Sequence, residues 1–128
     1  MNIPRIIAFA ALAVSAVVAT AAEPRPYTQQ EFDRLAHDGK PVLVDVSATW
    51  CPTCKAQKPL VDGLAKGPAY KDVAVLTVDF DADKPILRQF KVGMQSTLIA
   101  FKGGREVGRS VGDTTSAGIE SLFRKATQ

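Results

Sequence analysis

Hydrophobic and polar positions along the chain alternate between two periods. Thr28 and Glu31 stand at capping-box spacing, so a helix is predicted from that point, with Phe32 and Leu35–Ala36 as its apolar stripe and Gly39 as its end. Pro41 precedes Val42-Leu43-Val44-Asp45-Val46, a nearly continuous apolar run read as a buried strand. From Cys51 to about Lys66 the pattern returns to helix, with Leu60, Val61 and Leu64 directed inward. Pro59 should kink it and Gly67-Pro68 should stop it. Val73–Phe80 reads as a second strand, followed by a short helix capped by Asp83, with Pro85 in its first turn and Phe90 near its end. Thr97–Phe101 and Arg105–Val111 flank Gly103-Gly104 and predict a β-hairpin. A last helix starts near Thr114 or Thr115 and places Ile119, Leu122, Phe123 and Ala126 on one face. The order α, β, α, β, α, β, β, α predicts a three-layer α/β domain. Its mixed sheet has about four strands flanked by helices, parallel where helices intervene and antiparallel at the hairpin.

The chain ahead of this domain has a different character. Arg5 is followed by an uncharged apolar run, Ile6–Ala19, of 14 residues. Small residues Ala19-Thr20-Ala21-Ala22 then precede Glu23. A run of this length suits a secretory signal better than a membrane span. Residues 1–22 are therefore read as a signal peptide, cleaved after Ala21 or Ala22, and 23–128 as the domain; an uncleaved anchor is the competing reading. The expected location is the periplasm. Losing Arg5 lowers the formal net charge from +3 to +2, because no acidic residue precedes Glu23. That near-neutral balance, with no run of five basic residues, argues against nucleic acid as a partner.

The two cysteines are three positions apart. A bridge between them closes a loop too small to stabilise the fold by restricting the unfolded chain, so chemistry explains the pair better than stapling. Cys51 follows a strand and opens a helix, where unpartnered N–H groups favour a thiolate. Cys54 lies one turn on, within reach of a small adjustment to a disulfide. The spacing predicts an exposed attacking sulfur and a more buried resolving one. Pro52 removes one N–H donor and fixes the first turn; Thr53 adds a hydroxyl and an N–H. Lys55 stands where a c-type haem site needs histidine, and no third cysteine exists for a zinc ribbon. His37, the only histidine, is read as a surface residue. Asp45, an ionisable group in an apolar strand, should hold its proton more tightly than usual.

With these residues in place the chain resembles the thioredoxin family. Val44-Asp45-Val46 and Trp50-Cys51-Pro52-Thr53-Cys54-Lys55 look like that family's active-site strand and loop. Pro59 looks like its helix proline, and Gly104 and Gly112 like the glycines of its final hairpin. The resemblance implies a thiol–disulfide oxidoreductase with no cofactor. Its catalytic residues would be Cys51, Cys54 and Asp45, with Asp45 helping to deprotonate Cys54. Trp50, Pro52, Thr53, Gln95, Ser96 and Thr97 would contact substrate. Disulfide-containing exported proteins would be the substrates, a membrane thiol–disulfide transporter the electron donor, and the protein a monomer. Reduction or exchange is expected rather than oxidation, given Asp45 and the absence of the Cys-Pro-His-Cys sequence and inserted helical domain of strong oxidants.

Three departures accompany the resemblance. Ser96 stands where the family carries a cis-proline facing the cysteines, so the Gln95–Ser96 bond is expected to be trans. Its hydroxyl could stabilise a thiolate, and the missing proline leaves open a metal or iron–sulfur module shared between two chains. Thr77 stands where thioredoxins often carry a lysine, and Ser47 at a commonly aromatic position. A redox-inactive scaffold or chaperone is a third reading.

Overall fold

The computed structural model describes residues 13–15 and 23–128, so the reading of 1–22 as a signal lies almost wholly outside the described residues. The elements are β1 (Arg25–Pro26), α1 (Gln29–His37), β2 (Pro41–Ser47), α2 (Pro52–Lys66), β3 (Ala74–Asp79), α3 (Lys84–Gln89), β4 (Thr97–Lys102), β5 (Arg105–Val111) and α4 (Ser116–Thr127). The sheet has five strands in the order β1-β3-β2-β4-β5, one more than the sequence pattern predicts. The extra strand is β1, inside the proline-rich lead-in. Two residues show no periodicity, and Pro26 has no N–H to give, so nothing in the pattern marks it. β1 runs parallel to β3, and Tyr27 N–H continues the pairing by donating to Thr77 O at 2.8 Å.

β2 pairs in parallel with β3 and antiparallel with β4, and β5 closes the opposite edge. β3 and β4, although separated by a helix, do not pair; β2 lies between them. Side chains alternate across this central strand. Val42, Val44 and Val46 enter one core with Phe32 and Leu35 of α1, Leu87 of α3, and Ile99 and Phe101 of β4. Leu43 enters the other, with Val61 and Ala65 of α2 and Ile119, Leu122 and Phe123 of α4. By the same parity Asp45 belongs to the α2 side, opposite Thr77 of β3.

The caps agree with the sequence pattern in position more than in detail. Thr28 accepts from Glu31 N–H at 3.1 Å and Thr115 from Gly118 N–H at 3.1 Å. Asp83 precedes α3 but makes no cap bond; its carboxylate accepts from Asp79 N–H at 2.8 Å instead. α2 continues through Pro59. Its buried stripe is Cys54, Gln57, Val61 and Ala65, with Leu60 and Leu64 only partly buried at its flank.

The hairpin turn explains its glycine pair. Gly103 and Gly104 have φ of +56° and +79°, the left-handed values a two-residue turn demands. A Cβ on Gly104 would also lie 2.8 Å from the Cβ of Ala36, so the turn rests directly on α1. Gly39 has φ +67° but open space around it. Gly104→Ala is therefore expected to cost about 2–4 kcal/mol in urea unfolding and Gly39→Ala about 1 kcal/mol. Equal costs at the two positions would show that the hairpin does not bear on α1.

Candidate active site

β2 ends at Ser47, and the chain turns through Ala48–Trp50 before entering α2. Cys51 is the N-cap of α2, with φ −87° and ψ 110°, and its Sγ accepts from Cys54 N–H at 3.1 Å. Pro52 occupies the first helical turn, where its missing N–H leaves no bond unmade. The two Cα atoms are 5.3 Å apart and the sulfurs are joined as a disulfide. Both residues are buried, Cys51 at 1 % exposure and Cys54 at 7 %. The expected contrast between an exposed attacking sulfur and a more buried resolving one is thus absent in the oxidised pair. Cys51 packs with Ala48, Cys54 and Phe80, and the segment before β4 brings Ser96 Oγ to 3.5 Å from its Sγ.

Ser96 itself is buried and carries φ +59°. No cis peptide bond occurs among the described residues, so Gln95–Ser96 is trans. Thr97 begins β4, is buried, and its hydroxyl donates to Met94 O at 2.7 Å. Trp50 is 56 % exposed and its Nε1–H donates to Asp81 at 2.7 Å. Pro52 is exposed, and Thr53 and Gln95 are partly so. All of these lie on elements that meet at the disulfide, while His37 is exposed on α1, beside Asp38.

An open depression of about 420 Å³ leads from solvent to Asp45 and Cys54. Lys58, Asp62 and Thr77 also line it. Burial pushes the Asp45 carboxyl up to about 6, the Lys58 ammonium pulls it down, and Asp62 pushes it up. Lys58 and Asp62 form an ion pair at 2.9 Å. Thr77 leaves the strand side of the acid uncharged, and the neighbouring cation comes from α2 instead. Sequence reasoning passed over Lys58, Asp62, Gln57 and Asp81. The i,i+4 spacing of Lys58 and Asp62 was a usable signal; the pairing of Asp81 with Trp50, 31 residues away, offered none.

The Thioredoxin family model matches residues 23–125. The chain belongs to the thioredoxin family. A thioredoxin of Chlamydia muridarum is 46 % identical over 84 residues, 66 % of this chain and 80 % of its own length. Thioredoxin-2 of Saccharomyces cerevisiae is 39 % identical over 88 residues, 68 % of this chain and 83 % of its own. Among solved structures, Trxlp from Edwardsiella tarda superposes with a TM-score of 0.76 at 42 % identity, covering 79 % of this chain and 98 % of that one. The chain is accordingly a disulfide oxidoreductase of the thioredoxin type. Its redox-active pair is Cys51–Cys54, and disulfide-containing proteins are its substrates. Nothing in the site or the relatives supports a metal or iron–sulfur module.

Because Asp45 binds its proton more tightly folded than unfolded, its contribution to stability is full below about pH 4 and is lost as pH rises through about 6. Asp45→Asn removes this loss. The variant is expected to match the parent near pH 4 and to exceed it by about 2 kcal/mol at pH 8 in urea unfolding. A variant less stable than the parent at pH 8 would mean that the carboxylate is not strained by burial.

Proposed function

We propose that this chain is exported to the periplasm and there, as a monomer, reduces or exchanges the disulfides of other exported proteins. The observation that carries the chemistry is the Cys51–Cys54 pair at the head of α2, with Asp45 and Cys54 lining one depression. Export is supported by Arg5, the apolar run Ile6–Ala19 and the small residues before Glu23, and the family match begins at that same residue.

The reduced pair starts the reaction. The Cys51 thiolate attacks one sulfur of a substrate disulfide. That S–S bond breaks, and the displaced substrate thiolate takes a proton from water. Cys54 passes its proton to Asp45, directly or through water in the depression, and attacks Cys51 Sγ. The mixed disulfide breaks, Cys51–Cys54 closes, and the second substrate sulfur leaves as a thiolate. Two electrons pass from the cysteine pair to the substrate. An acid that ionises near neutral pH suits the role of proton acceptor for Cys54. Trp50, Pro52, Thr53 and Gln95 offer accessible surface beside the pair on which a substrate chain can lie, while Ser96 and Thr97 are buried beneath it. A thiol donor must then reduce the pair again, and in an oxidising compartment a membrane thiol–disulfide transporter fills that need.

Cys54→Ser stops the reaction at the mixed disulfide. Expressed as the full chain, this variant is expected to accumulate covalent adducts with exported proteins, released by dithiothreitol, while Cys51→Ser accumulates none. The mature N-terminus should begin at Ala22 or Glu23. Adducts confined to cytoplasmic proteins, or a retained leader in the cytoplasm, would contradict export. Equal adducts from both variants would contradict the assignment of Cys51 as nucleophile.

A further inference from the structure

The segment facing the cysteines is held in a conformation that its own backbone disfavours. Ser96 carries a side chain at φ +59°, a left-handed region that non-glycine residues seldom adopt. Two contacts hold it there. Its carbonyl accepts from Gly112 N–H at 3.0 Å and from Gln57 Nε2 at 3.2 Å. Gln57 is 1 % exposed on the inner stripe of α2, and the same Nε2 donates to Asp113 O at 2.9 Å. One buried amide thus ties α2 to both the segment before β4 and the segment after β5. Its Oε1 has no partner among the described residues, a costly arrangement for a residue serving only to fill space. The product of this bracing is the placement of Ser96 Oγ against Cys51 Sγ at 3.5 Å.

The direction of that contact follows from chemistry. Neither a disulfide sulfur nor a thiolate carries a proton, so the Ser96 hydroxyl is the donor. From the helix side Cys51 receives the Cys54 N–H, while Pro52 has none to give. The hydroxyl comes from the opposite side and adds a donor that a proline at this position could not offer.

We propose that Ser96 is a catalytic residue that donates a hydrogen bond to the Cys51 thiolate, and that Gln57 is a positioning residue that holds Ser96 in place. The proposal rests on the reading of Cys51 as the nucleophile. Hydrogen bonds to charged groups are the stronger kind, so losing this one should lower the thiolate fraction about tenfold below its ionisation midpoint.

The test is the pH profile of iodoacetamide alkylation of Cys51, read in reduced Cys54→Ser protein so that a single thiol reports. Ser96→Ala is expected to alkylate about tenfold more slowly at pH 6 and equally fast at pH 10. Ser96→Gly takes the positive φ without strain and should slow as Ser96→Ala does, which separates the hydroxyl from the backbone. Gln57→Met fills the same volume without the amide and should move the profile in the same direction by a smaller amount. A purely structural Gln57 would lower the melting temperature and leave the profile in place, overturning its role. Profiles of Ser96→Ala and Ser96→Gly that coincide with the parent's overturn the proposal while leaving Cys51 a nucleophile. A parent profile with the midpoint of free cysteine overturns the underlying reading as well.

Discussion

The structure turns on the aim of one helix. α2 starts a short turn after β2 ends, and the Cys54 N–H of its first turn donates to the sulfur that caps it. The field of such a helix start favours a thiolate over a thiol, and it acts only within the first turn. Every larger feature keeps this geometry fixed. β2 is the central strand, flanked by β3 and β4, so the residue before the active-site turn cannot drift. The far side of α2 is locked against β2 and α4 through Val61 and Ala65. The disulfide closes across that turn, and so the redox state of the pair is coupled to the N-terminus of a helix that the core holds still.

Around this axis the protein distributes three environments over a few ångströms. The helix and the Ser96 hydroxyl face Cys51 with donors. The depression beside Cys54 offers a carboxyl raised by burial, with a cation and a second carboxylate from α2 balancing it. Trp50, exposed and hydrogen-bonded to Asp81, forms an apolar rim. Stabilising the sulfur that attacks and taking the proton from the sulfur that resolves are opposite tasks. Placing the two cysteines one turn apart lets one helix present each to a different surrounding.

Much of this was legible in the chain because it is local. The apolar runs at Val42–Val46 and Val73–Phe80, the glycine pair at the hairpin and the threonine caps all act within a few residues of themselves. What was hidden depends on partners far along the chain. Which strand β4 joins follows from packing around β2, not from its own pattern. The contact that Ser96 makes with Cys51 comes from 45 positions later. Gln57 is a polar residue within a helix, and nothing in its side chain marks it as buried. Only its spacing from Cys54 and Val61, three and four positions, placed it on the buried stripe. β1 is too short to carry any period at all.

The two cysteines form one reversible two-electron couple. The direct measurement equilibrates the purified protein with glutathione buffers of graded ratio, quenches with acid, alkylates and weighs the products. A single transition between the dithiol and the internal disulfide is expected, with glutathione adducts only as minor intermediates. Two independently glutathionylated cysteines, disulfide-linked dimers, or a pair that stays oxidised or reduced at every ratio would contradict it.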